Sequence, residues 1–317
     1  MSLGNPDHPV GGLAVRTPPG VELRPLGRDD LDVALALARE LYRLPAGPSE
    51  PHRAWFDAMV NSPDASPFLA LADGEPAGMA LFWFRRRLGH ARFQGWLSDL
   101  VVLPGARGRG IGRALVAACI AEWRLRQGDS IMLEVATDNA PARALYESLG
   151  FVEGGHQLQQ HPVRARGIPP ADGVELRDAR PDDFEAVTRL LGEMGVPVPS
   201  TERQPAVRRA FEDHLRRPDA YARVAERAGD LIGLCTLVLR RPFYMTQPQA
   251  WIAELVVADR ARGAGIGAAL LDAVLALAGE HGAYACVLES GTQRMVAHRL
   301  YAAAGFHDPG VFYVLTV

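Results

Sequence analysis

Lysine is missing from this chain. Among its 317 residues all 34 basic side chains are arginine. The absence excludes a phosphate-loop lysine, a Schiff-base lysine and the strand lysine of a kinase. Cysteine is scarce as well: Cys119, Cys235 and Cys286 are too few and too scattered for a disulfide framework or a zinc knot. Their apolar neighbours predict buried thiols instead. Charge of one sign is not in excess, since the net charge is −3. That argues against a polybasic surface for nucleic acid or membrane lipid. No apolar run is long enough to span a bilayer. Met1 to Gly20 is rich in glycine and proline and lacks a basic patch followed by an apolar core. It reads as a loose tail rather than a signal peptide, which leaves a cytoplasmic chain as the expectation. The nine histidines show no pair at ligand spacing on a predicted helix, so no metal is expected.

What is present is a globular composition, 48% hydrophobic and 22% charged, in a chain long enough for two domains. The chain repeats itself. Trp96-Leu97-Ser98-Asp99-Leu100-Val101-Val102 returns as Trp251-Ile252-Ala253-Glu254-Leu255-Val256-Val257. At the same offset Arg107-Gly108-Arg109-Gly110-Ile111-Gly112 returns as Arg262-Gly263-Ala264-Gly265-Ile266-Gly267. Tyr146, Gly150 and Phe151 return as Tyr301, Gly305 and Phe306. Val21-Glu22-Leu23-Arg24 matches Val174-Glu175-Leu176-Arg177 at an offset shorter by two, a difference that loops absorb. The period is too long for a solenoid unit, so the reading is two copies of one domain. They are expected at 21–161 and 174–317. Between them Pro162, Gly167, Pro169, Pro170 and Gly173 punctuate a linker over 162–173.

Periodicity predicts helix over Asp29 to Tyr42 and strands over Phe68 to Ala72, Pro76 to Arg85 and Gln94 to Val102. Helix follows over Gly110 to Arg126, strand over Ser130 to Ala136, and helix over Asn139 to Leu149 with Gly150 as its stop. Terminal strands end each copy. The class is α/β (α+β), with a mixed sheet flanked by helices. The most specific feature is an apolar strand running into Arg-x-x-Gly-x-Gly and then a helix, twice. A bend without Cβ atoms lets backbone N–H groups converge on a diphosphate, and the helix adds its unpaired donors and dipole. The glycines at 108, 110 and 112 do not fit a dinucleotide fingerprint, and the missing lysine excludes a nucleotide phosphate loop.

The stretch Leu100 to Phe151 resembles the coenzyme-binding core of the GNAT superfamily of N-acetyltransferases. The resemblance rests on Leu100-Val101-Val102 with Pro104, on Arg107-x-x-Gly110-x-Gly112, and on Asn139-x-x-Ala142-x-x-x-Tyr146-x-x-x-Gly150-Phe151. It returns over Leu255 to Phe306, which makes this a tandem arrangement. The resemblance implies two mostly antiparallel, twisted sheets whose central strands splay, here between Gln94–Val102 and Ser130–Ala136. It implies acetyl-CoA as cosubstrate, its pyrophosphate on Arg107, Gly108, Arg109, Gly110, Ile111 and Gly112. Leu100, Val101 and Val102 would pair with the pantetheine arm and Asn139 would contact it. In the second copy Val256, Val257 and Arg262, Gly263, Ala264, Gly265, Ile266, Gly267 take these places.

Direct transfer needs a base for the attacking amine and an acid for the departing thiolate, and no acyl-enzyme. Tyr146 and Tyr301 are the candidate acids, being protonated phenols at neutral pH. Asp99 and Glu254 are the candidate bases, with Glu134 and Glu289 a lower-ranked pair one strand over. The copies differ, because Arg294 replaces Asn139 in the second. Both are expected to bind acetyl-CoA and the first to catalyse. Acceptor specificity is expected in Leu44 to Asn61 and Gly195 to Arg217, where His52 reads as a solvated loop residue. Arg85-Arg86-Arg87 and Arg240-Arg241 read as exposed charge at strand ends. The acceptor is expected to be the primary amine of a small molecule. A protein N-terminus, or a silent acetyl-CoA sensor, are the competing readings. The two copies would pack as an intramolecular pseudo-dimer, or the chain would form a homo-oligomer.

Overall fold

The structure, a computed structural model, describes residues 16–42, 44 and 49–316. Most of the expected tail, and Pro45 and Pro48 of the first acceptor loop, lie outside the described residues. The first half opens with strand β1 (Val21–Pro25), helices α1 (Leu31–Ala38) and α2 (Glu50–Val60), and strands β2 (Phe68–Ala72), β3 (Glu75–Arg85) and β4 (Gln94–Val102). Then follow α3 (Ile111–Leu125), β5 (Ser130–Ala136), α4 (Ala140–Ser148) and β6 (Val152–Gln160). The second half repeats the order. It has β7 (Glu175–Asp178), α5 (Phe184–Glu193), α6 (Gln204–Arg216), β8 (Ala220–Arg227), β9 (Asp230–Arg240), β10 (Gln249–Ile252) and β11 (Leu255–Val257). It closes with α7 (Ile266–Glu280), β12 (Ala285–Gly291), α8 (Met295–Ala303) and β13 (His307–Thr316). β10 and β11 together stand for β4. The first helix stops at Ala38, four residues before the expected end, because the chain turns there to bring Tyr42 inward.

The strands form one sheet in the order β1-β2-β3-β4-β5-β13-β6-β12-β10-β9-β8-β7, with β11 beside β9. The pairings are antiparallel except β4 with β5 and β10 with β12. Each half has a single terminal strand rather than several, and the two are exchanged. β13, the end of the second half, lies between β5 and β6 and pairs with both. β6, from the first half, lies between β13 and β12. A pseudo-twofold axis therefore runs between β6 and β13. The exchange buries Val311 and Tyr313 in the first-half core with Phe82, Leu115, Ile131 and Phe151. The linker is fastened too, as Arg166 and Ile168 donate backbone N–H groups to Asp272 on α7 at 2.6 and 2.8 Å.

A duplicated arginine–aspartate pair opens each half. Arg24 grips Asp30 through two bonds of 2.7 Å, and Asp30 accepts the Gly27 amide. Arg177 does the same to Asp183, at 2.7 and 2.9 Å. The three cysteines are buried, as their neighbours implied. No helix among the described residues is long and apolar enough to cross a membrane.

Candidate active site

Both splayed openings are present. β4 pairs with β5 only from Gln94↔Ser130 to Leu97↔Leu133, and β10 with β12 only as far as Ile252↔Leu288. Beyond those points the strands diverge. The cause is local. A register shift places one extra residue, Ser98, on β4 against Leu81 and Phe82, and the strand bends away. The second half interrupts its strand at the matching residues, Ala253 and Glu254. Past the bulge the faces change over. Leu100 and Val102 pack against the core under α3, while Asp99 and Val101 are buried on the side of α1 and α2.

The two bends have the geometry that a diphosphate needs. Gly108 and Gly110 have φ of 78° and 77°, Gly263 and Gly265 of 81° and 76°, values that side chains resist. Among the described residues a Cβ at Gly108, Gly263 or Gly265 would meet nothing within 4 Å, and at Gly110 only Pro18 Cγ at 3.1 Å. Backbone conformation thus demands glycine there. Gly112 and Gly267 serve packing instead, as a Cβ there would stand 3.4 Å from Leu145 or Leu300. Among the described residues the amides of 108–113 and 263–268 find no acceptor. Arg107 and Arg262 each brace their bend by donating Nε to the carbonyl of Val102 and Val257, at 3.1 and 3.3 Å. Ile111 and Ile266, next to the bends, are anchored in the cores at 1% exposure. Arg109 pairs with Asp73 at 2.9 Å, a contact that Ala264 cannot copy. Such clusters of free amides at a helix N-terminus fit an anionic diphosphate.

Asn139 caps α4, its Oδ1 accepting the Ala142 amide at 3.2 Å. Its counterpart Arg294 makes no cap and donates to the Met194 carbonyl at 3.0 Å. Tyr146 is 5% exposed and Tyr301 7%. Burial pushes both phenols up, so both stay protonated through the neutral range. Tyr146 lies against Phe151 and against Tyr313 of the exchanged strand.

The two carboxylates are dressed differently. Asp99 accepts the hydroxyls of Tyr42 at 2.6 Å and Tyr244 at 3.0 Å on Oδ1, and of Ser98 at 2.7 Å on Oδ2. Burial raises its pKa against the pull of those three donors. Glu254 receives Thr236 Oγ1 at 2.5 Å and faces Arg87 Nε at 3.4 Å. Sequence reasoning missed Tyr42, Tyr244, Ser98 and Arg87. Of these Ser98 was legible as a neighbour, whereas Tyr244 and Arg87 each arrive from the opposite half.

Glu134 and Glu289 sit at the forks of the two openings and meet near the pseudo-twofold axis. Trp96 Nε1 donates to Glu134 and Trp251 Nε1 to Glu289, each at 2.8 Å. The guanidinium of Arg240 stacks 3.8 Å from the Trp96 ring centre and that of Arg85 4.2 Å from Trp251. These arginines are therefore half-buried at the axis, not exposed at strand ends, because facing indoles and carboxylates replace much of their water. Burial and the neighbouring Glu289 push Glu134 well above the usual carboxylate range. Burial acts on Glu289 too, but Arg85, Arg240 and its donors outweigh it and hold Glu289 low. His52 also departs from expectation. It lies on α2 at 2% exposure, its Nδ1 accepting the Ser49 amide at 2.9 Å. No group of three or more metal-binding side chains occurs among the described residues.

With this geometry in view, comparison with known proteins is direct. The profile of the acetyltransferase (GNAT) family matches residues 33–151 and again 184–306. The chain belongs to the GNAT family and is a tandem acetyltransferase. Its layout is that of tandem enzymes such as mycothiol synthase. A mycothiol acetyltransferase of Sanguibacter keddieii is 30% identical over 236 residues, 66% of this chain and 70% of that protein. One from Salinispora tropica is 40% identical over 143 residues, 42% of this chain and 45% of its own length. The aminoalkylphosphonate N-acetyltransferase of Salmonella typhimurium is 35% identical over 120 residues, 38% of this chain and 76% of that protein. Among solved structures, a GCN5-related N-acetyltransferase from Sphaerobacter thermophilus shares the fold at 21% identity. Its TM-score is 0.66, with 95% of this chain and 97% of that one covered. A tandem GNAT protein from the clavulanic acid biosynthesis pathway does so at 22% identity, with a TM-score of 0.59 and coverage of 93% and 98%.

Proposed function

We propose that the chain transfers an acetyl group from acetyl-CoA to a primary amine of a small molecule, by direct attack in a ternary complex. The observation that carries this reading is the continuity of three parts in each half: a bend of free amides, a strand splayed from its neighbour, and a buried protonated tyrosine on the next helix. The amides of Gly108 to Arg113 would hold the pyrophosphate, and the free edge of Leu100 to Val102 would pair with the pantetheine arm. Bound there, acetyl-CoA supplies an activated thioester carbonyl. As the amine forms its bond to that carbon, its proton passes to Asp99. Among the described residues, three of roughly four acceptor sites on this carboxylate are taken. As the C–S bond breaks, Tyr146 gives its proton to the sulfur.

We place the transfer in the first opening. There, among the described residues, Asp99 receives only neutral donors, whereas Arg87 already pairs with Glu254. Both bends remain fit for coenzyme. The names of the mycothiol and aminoalkylphosphonate relatives support small amines as acceptors. Free-thiol release from acetyl-CoA, followed over a panel of small amines and N-terminal peptides, tests the reading. Turnover confined to peptides would replace the acceptor class. Coenzyme uptake without turnover on any amine would leave a sensor.

A further inference from the structure

The loops between β3 and β4 and between β9 and β10 cross the pseudo-twofold axis in opposite directions. Leu88 enters the second-half core at 3% exposure, and its counterpart Phe243 enters the first-half core at 1%. Phe243 packs edge-on to Phe56 of α2 at 5.2 Å. The next residue, Tyr244, is thereby delivered beside Asp99. Its ring stacks on Tyr42 at 4.4 Å and 13° between planes, and its hydroxyl donates to Asp99 Oδ1 at 3.0 Å. The counterpart of Tyr244 in the repeat is Gly89, and at the offset of the domain starts Gly195 stands for Tyr42. The second half therefore has neither phenol at its own acid.

Resting on the acetyltransferase reading above, we propose that Tyr244, carried by the second half, is a positioning residue for Asp99 in the first opening. The catalytic site is then assembled from both halves of the chain. A packing residue would need only the ring. The hydroxyl is what reaches the carboxylate, and the stack fixes Tyr42, whose own hydroxyl lands on the same oxygen. With Oδ1 occupied twice and Oδ2 once, the carboxylate is held in one rotamer with its remaining site on Oδ2. Among the described residues the groups facing Asp99 are phenols and one alcohol: Ser98 on β4, Tyr42 after α1, Tyr244 on the crossing loop, and more remotely Tyr146 on α4 and Tyr284 before β12. No arginine or histidine pairs with it among the described residues.

Tyr244→Phe keeps the stack and removes one donor from the ionised carboxylate. Losing a bond of that kind moves a carboxyl group upward by about one pH unit. Three measurements on the full chain follow: acetyl-CoA affinity by calorimetry, the pH profile of kcat/KM on the best amine of the panel, and titration of the Asp99 carboxyl carbon by NMR, assigned with Asp99→Asn. The expected result is a coenzyme Kd within about twofold of the parent, with the acidic limb and the Asp99 carbon both displaced upward by about one unit. In an Asp99→Asn background Tyr244→Phe adds no further loss of rate. A carbon titration and a limb that do not move, or full additivity of the two substitutions, would overturn the proposal. The carbon titration needs no acceptor, so it stands or falls apart from the acetyltransferase reading.

Discussion

Replacing Tyr313 by alanine is expected to destabilise the first half, although Tyr313 belongs to the last strand of the second. The side chain is 1% exposed and packed in the core under α3 with Phe82, Leu115 and Ile131. Its hydroxyl donates to Glu147 at 2.7 Å and accepts Arg143 Nε at 3.1 Å, both residues of α4. Truncating a buried aromatic to alanine costs about 3–5 kcal/mol, because the cavity left behind closes only in part. That is a large share of the roughly 5–15 kcal/mol by which folded chains survive. At about 2–4 °C per kcal/mol for a chain of this order, Tm falls by on the order of 10 °C. Tyr313→Phe, which keeps the ring, costs only about 1 kcal/mol. Calorimetric unfolding gives the size, and hydrogen exchange gives the place. Amides of α3 and α4 must lose protection together with those near β13. A fall below about 2 °C, or lost protection confined to α7 and α8, would refute the strand exchange as a source of first-half stability.

Further outcomes follow from the site. Tyr146→Phe lowers turnover by about 100-fold or more while leaving coenzyme affinity in place; an unchanged rate would reject Tyr146 as the acid. Gly110→Ala forces a side chain into a left-handed conformation at φ 77°, which costs about 1–2 kcal/mol and weakens acetyl-CoA at the first bend by about tenfold. Calorimetry decides it, and undiminished affinity at that bend would show the glycine to be dispensable. Glu134, raised above the range it has in the unfolded chain, takes up protons on folding. Stability therefore falls as pH climbs from that unfolded range through neutrality. Glu134→Gln removes this slope from denaturant titrations between pH 5 and 8, and an unchanged slope would place the titration elsewhere.

The local signals were legible in the sequence because they depend on a few neighbouring residues. The bends and the burial of the cysteines follow from glycine spacing and apolar neighbours, and the opening of β4 from β5 is what the resemblance to the GNAT core implies. Asp99 and Glu254 stand out only because the repeat aligns them. What was not legible depends on how the halves meet. Nothing near Tyr313 or Gln157 announces that β13 and β6 trade places, since the exchange depends on how the two halves pair and not on either strand's own residues. Tyr244 reads as a loop aromatic until the crossing loop is seen. Arg85 and Arg240 read as strand-end charges until Trp96 and Trp251 face each other across the axis. His52 reads as a loop residue until helix α2 is seen to start at Glu50 and bury it.

The claim beneath all of this is that main-chain amides, unaided by lysine, hold the diphosphate of acetyl-CoA at each bend. Titration of the full chain with acetyl-CoA in a calorimeter tests it most directly. The account predicts saturable uptake of two molecules per chain, one weakened about tenfold in Gly110→Ala and the other in Gly265→Ala. Heat that never rises above dilution, or binding that both substitutions leave intact, would contradict it.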